Sequence, residues 1–238
     1  MKELVSYYVS DYIKSYRYVP PLTIYLIAVV INYTYKPSPV LSSTAMTAVY
    51  LFLLMAWFTL TFFHTENPVQ QHLTILHAKS KAKVFLAKYI TMSLCVIALS
   101  ASSVAYPVVL GMFGATISIP KLTIGFLSHI FLGVLSVSIT ALFTRHIAKN
   151  SGMAWLGIIF VLLASIASAG LHDALPHALQ WIAWALPPVP YLMSLMGGTN
   201  AASIFPAIGF VYVWLAIYSA ILILMFFWIQ HRGYQGSC

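Results

Sequence analysis

Acidic side chains are almost missing from this chain: Glu3, Asp11, Glu66 and Asp173 are its only four carboxylates in 238 residues. Charged residues of both signs reach 7%, against about a quarter in a soluble domain. With 61% of the residues hydrophobic, that scarcity excludes an ordinary water-soluble globule and points to lipid as the solvent. Cysteine is scarce as well. Cys95 lies inside an apolar run and Cys238 ends the chain, which excludes a disulfide framework and a cysteine metal site. No stretch is polar enough for a separate soluble domain, so residues 1–238 are read as one membrane domain. The first eighteen residues lack the basic head, apolar core and small-residue cleavage site of a signal peptide and are expected to be retained. The closing Gly-Ser-Cys does not match a prenylation box.

What is abundant is apolar runs of membrane length. A hydrocarbon core of about 30 Å needs about 20 helical residues. Six runs approach this, at 20–35, 44–63, 84–110, 122–143, 152–171 and 205–229, the first being short and bounded by Pro20-Pro21 and Lys36-Pro37. Helices are expected in all of them, because open strands would strand backbone groups in lipid and the alternation of barrel strands is absent. The fold class is therefore an all-α membrane protein with a six-span bundle over 20–230. The formal charge of +8 serves orientation rather than nucleic-acid binding. With the N-terminus inside, Lys2, Lys14, Arg17, Lys79, Lys81, Lys83, Lys88, Arg145, Lys149 and Arg232 are cytoplasmic and only Lys36 and Lys121 are outside, ten against two. Under the positive-inside rule this places both termini in the cytoplasm of a multi-pass cell-membrane protein, a bacterial cytoplasmic membrane being expected.

Three segments outside the long runs have patterns of their own. In 1–19, Leu4, Val5, Tyr8, Val9, Tyr12, Ile13 and Tyr16 recur at helical spacing opposite a polar side, as in an interfacial amphipathic helix, with Val9, Tyr12 and Ile13 its lipid-facing candidates. In 64–83, Asn67-Pro68 reads as an N-cap and first helical residue, so a short cytoplasmic helix should run to about His77. Its polar positions can meet a soluble partner while Leu73 and Leu76 face the membrane domain. Lys79, Lys81, Lys83 and Lys88 form a basic group suited to the same interface or to lipid headgroups. In 171–204, Trp181, Trp184, Pro187, Pro188, Pro190 and Gly197-Gly198 predict two short re-entrant half-helices at the outer surface, or a lid that seals the bundle.

This order of parts resembles the permease subunits of ABC exporters of the second exporter class, which includes drug, polysaccharide and peptide efflux permeases. The resemblance covers essentially the whole chain: an amphipathic elbow helix, six spans, a short cytoplasmic helix after the second span, and paired outer half-helices before the last. The most specific local match runs from Glu66 through Leu73-Thr74-Ile75-Leu76 and Lys79-Ser80-Lys81 to Leu86-Ala87-Lys88. It lacks the family's glycine after the acidic position and the proline in the turn. The resemblance implies a homodimer, a separate ABC ATPase subunit and export of an amphiphilic peptide, antibiotic or lipid-like molecule. Glu66, Asn67, Gln70, Gln71, Thr74 and His77 are then the ATPase-coupling candidates, with Gln70, Gln71 and Thr74 as the contact side. No G-x-x-x-x-G-K-[ST] run occurs, so the chain is not expected to hydrolyse ATP or to hold a cofactor.

Two other readings stand beside it: an ATPase-independent channel or immunity-type membrane protein, and an intramembrane hydrolase. His129, inside the fourth run, is a candidate for lining a path or for bonding a neighbouring helix. His172, Asp173 and His177 form an outer cluster in which a capping Asp173 is the plainer account than a metal, and no metal site is expected. Ser100, Ser102, Ser103, Thr140 and Thr144 have no acid and base in their layer and read as close-packing residues, as do the methionines Met92, Met112, Met153, Met193 and Met196.

Overall fold

A computed structural model describes residues 1–114, 117–143, 151–177, 180, 186–198 and 201–235. Arg145 and Lys149 lie outside the described residues, as do the side chains of His172, Asp173 and Arg232. Among the described residues the chain forms ten helices: α1 (Lys2–Ser15), α2 (Val19–Asn32), α3 (Val40–Phe63), α4 (Pro68–Ala78), α5 (Lys81–Val109), α6 (Ile119–Leu142), α7 (Ser151–Ile166), α8 (Ser168–Ala174), α9 (Val189–Gly197) and α10 (Ala201–Gln235). One isolated bridge joins Ser38 to Phe113.

Four helices are long and apolar enough to cross a membrane: Val40–Phe63, Lys81–Val109, Ile119–Leu142 and, within α10, Pro206–Gln230. The runs expected at 20–35 and 152–171 fall short. Pro20 and Pro21 occupy the first turn of α2, which stops at Asn32 after 14 residues. The other run is divided: α7 ends at Ile166 after 16 residues and Ala167 caps a separate α8.

Contacts sort the helices between two ends. At one, Arg17 Nη1 donates to the His64 carbonyl at 2.7 Å and the Trp57 and Trp155 rings meet edge to face. At that end too, Lys81 Nζ donates to the Gln230 carbonyl at 3.2 Å. At the other, Asn32 donates to the Ser43 carbonyl, the Ser38 N–H donates to the Met112 carbonyl, and Tyr33 packs on Tyr106 and Phe113. Even the short α2 therefore joins both ends. Lys2, Lys14, Arg17, Lys79, Lys81, Lys83 and Lys88 gather at the α4 end, and Lys36 and Lys121 at the other.

Helices α3 and α6 run side by side in the same direction and form the centre. Gly125 faces Thr44, and a Cβ there would sit 3.0 Å from its hydroxyl oxygen; Gly133 faces Val96 of α5, where a Cβ would come within 2.6 Å. Small residues at these crossings let backbones approach closely, the usual basis of packing where lipid removes the hydrophobic drive. The outward surface is apolar: Ile31 on α2, Phe160 on α7 and Phe210 on α10 are exposed. That inside-out distribution suits lipid contact and makes the chain an all-helical, multi-pass membrane protein. Helices α8 and α9 lie at the end opposite α4, where Met196 of α9 is buried with its sulfur 3.2 Å from Ser128 Oγ.

Candidate functional site

The α4 end holds the densest polar chemistry, and Glu66 is its centre. Ser80 and Asn67 set the local geometry. Asn67 Oδ1 accepts from the Val69 N–H at 3.3 Å, capping α4 with Pro68 in its first turn; Ser80 Oγ accepts from the Lys83 N–H at 3.3 Å, capping α5. Between them Lys79 takes a left-handed φ of 52° and closes α4 one residue beyond His77. These two caps fold the chain back so that Glu66, before α4, meets Lys88, two turns into α5.

Glu66 and Lys88 are each 2% exposed, with Lys88 Nζ 2.7 Å from Glu66 Oε2. A buried charge alone costs several kcal/mol, and a pair offsets this only with good geometry and further bonds. Those bonds are present. Thr74 Oγ1 lies 2.8 Å from Glu66 Oε1 and 3.0 Å from the Gln70 carbonyl, and its single proton favours the charged acceptor. Tyr8 donates to Glu66 Oε2 at 3.4 Å. The ammonium of Lys88 sits 5.2, 5.7 and 5.8 Å from the ring centroids of Tyr8, Phe63 and Phe85, within cation–π range. Phe226 of α10 packs edge-on to Phe63 and Phe85 and closes the cluster. Burial, followed by the Glu66 charge, drives the Tyr8 phenol well above its ordinary pKa and keeps it a donor.

Around this pair the expected site residues divide into inner and outer sets. Gln70 Nε2 donates to the Tyr7 hydroxyl at 2.6 Å, tying α4 to α1; Thr74 points at Glu66; Gln71 is half-buried. Asn67 and His77 are exposed, and His77 Nδ1 bonds the Leu73 carbonyl. Leu73 and Leu76, expected to face the membrane domain, instead face outward, 53% and 71% exposed, with Val69 beside them. The inward direction is taken by Thr74, because the buried carboxylate needs its donor, and by Gln70, which reaches Tyr7 of α1. The basic group divides as well. Lys79 and Lys83 are exposed, Lys81 donates to the Gln230 carbonyl of α10, and Lys88 is enclosed beside Glu66. In α1, Val9 and Ile13 are exposed, whereas Tyr12, expected beside them, is buried with its hydroxyl 2.9 Å from Thr61 and its ring edge-on to Phe62.

Tyr7, Tyr8 and the pairing of Lys88 were missed by sequence reasoning. A signal existed. With four acids in the chain, one at a span boundary demands a nearby cation, and Lys88 is the lysine set deepest in an apolar run.

His129 lies apart from this cluster, fully buried between α3 and α6. Its Nδ1 is 2.7 Å from the Gly125 carbonyl, which can only accept, so the proton is on Nδ1 and Nε2 accepts from Thr47 at 3.0 Å. Both ring nitrogens are thus engaged, Nδ1 within α6 and Nε2 across to α3. His177 bonds Gln180 at the other end, and among the described residues no three His, Cys, Asp or Glu groups converge as a metal site. Among family models, curated proteins and solved structures, none matches this chain.

Proposed function

We propose that this chain is the membrane-spanning permease subunit of an ATP-driven exporter, working as a homodimer with a separate ABC ATPase. Six helices cross the bilayer in this reading, α2 and α7 completing their crossings with flanking residues, and α1 is the elbow on the cytoplasmic leaflet. The observation that carries the proposal is the mounting of α4: a short helix at the lysine-rich end, anchored from within by Glu66 and presenting Val69, Leu73 and Leu76 outward. A helix so mounted can receive force from a soluble partner and pass it into the bundle. The partner would touch the outward stripe flanked by His72 and His77, while Gln70, Gln71 and Thr74 act from behind it. The basic, lysine-rich end supports the cytoplasmic placement of both termini. An amphiphilic cargo suits spans with hydroxyl-dotted interiors and few charges.

A cysteine crosslinking scan over 66–79 against the co-purified ATPase tests this. Crosslinks concentrated at 69, 72, 73 and 76 are expected. If no ATPase associates with the permease, the channel reading replaces this one. The hydrolase reading gains nothing from His129, whose two ring nitrogens are taken up by the Gly125 carbonyl and the Thr47 hydroxyl.

A further inference from the structure

We propose that Glu66 is a three-way joint that makes α1, α4 and α5 move as one body. None of the described side chains of α4 is fully buried. Ile75 and Ala78 only lean on the apolar core, so hydrophobic burial does not seat this helix. Its hold is polar and passes through one carboxylate whose two oxygens serve different helices. Oε1 takes Thr74 of α4, while Oε2 takes Lys88 of α5 and Tyr8 of α1. Gln70 and Tyr7 add a second, exposed tie between α4 and α1.

A carboxylate is planar and short, so its three partners cannot shift independently without leaving a buried charge unmatched. Displacement of α4 is therefore carried to Lys88. From there α5 runs on to Val109, packed against Gly133 of α6 and bonded through Ser103 to Tyr25, and passes Tyr106 beside Tyr33 at the far end. Glu66 and Thr74 are positioning residues. The joint stands with or without an ATPase partner, and in the exporter it would be the point where load on α4 enters the long helices.

The test uses the full chain alone in lipid nanodiscs, so its failure leaves the exporter proposal untouched. Trypsin cleavage at Lys79, Lys81 and Lys83 reports undocking of α4, cleavage at Lys14 and Arg17 reports α1, and cleavage at Lys121 controls for global opening. Thr74→Val should speed cleavage at 79–83 by at least about tenfold, while Thr74→Ser, which keeps the donor, stays within about threefold of the parent. Glu66→Gln should speed cleavage at both α4 and α1. Should Glu66→Gln fail to fold, the Thr74 pair still decides. Parental cleavage in Thr74→Val, or acceleration at Lys121 in step with 79–83, overturns the joint.

Discussion

Tyr8 places one hydroxyl between a buried carboxylate and the aromatic shell around Lys88. Its phenol is held protonated in the folded chain above the ordinary value of about 10. The unfolded chain then releases this proton first as pH rises, so the fold loses stability upward from the ordinary phenol range. Tyr8→Phe should show a shallower alkaline loss of stability between pH 9 and pH 11 than the parent, measured by denaturant unfolding in detergent; equal slopes would contradict the burial of this hydroxyl. At neutral pH the same variant should cost about 1 kcal/mol for the lost bond. Thr47→Val, removing the donor to His129 Nε2, should cost about 0.6 kcal/mol, the typical worth of an interhelical bond in a membrane bundle. Identical stability of parent and Thr47→Val would free His129 from the structural role assigned to it.

At the level of the helix, glycine positions separate packing from propensity. Gly133→Ala drives a Cβ to 2.6 Å from Val96 and should destabilise by about 1–3 kcal/mol, whereas Gly209→Ala meets nothing within 4 Å and should be neutral or stabilising by up to about 1 kcal/mol. Reversal of that order in thermal unfolding would mean that α5 and α6 do not pack as described. In α1, one apolar stripe read from the sequence proves to be two adjacent faces: Tyr8 and Tyr12 pack into the bundle, Val9 and Ile13 stay exposed. Val9→Asp with Ile13→Asp should therefore weaken vesicle binding of the N-terminal segment while leaving bundle stability within about 1 kcal/mol, and Ser10→Asp should do neither. The existence, cap and length of α4 were legible from Asn67, Pro68 and the turn lysines. Its rotation was not, because its apolar and polar residues alternate too evenly to say which side the bundle takes.

Across the whole molecule, the two ends are marked by charge. A reporter fused after Cys238 should be cytoplasmic, and tags near Lys36 or Lys121 should be reached from outside; a C-terminal reporter on the outer side would contradict the six crossings of the proposed exporter. Apolar composition and the scarcity of charge already dictated a helical membrane protein, because backbone groups in lipid must be satisfied within the chain. The lysine distribution set only the expected orientation, with the lysine-rich end in the cytoplasm. Tertiary structure alone decided that α2 ends at Asn32 and α7 at Ile166, each stopped by a turn where hydropathy continues. It alone decided, too, that Lys88 turns from the headgroups to Glu66. Sequence spacing cannot reveal this pairing, because the two residues are on different helices and meet only when the capped turn at 79–80 folds one back on the other. Once both charges are out of water, each has no cheaper partner than the other.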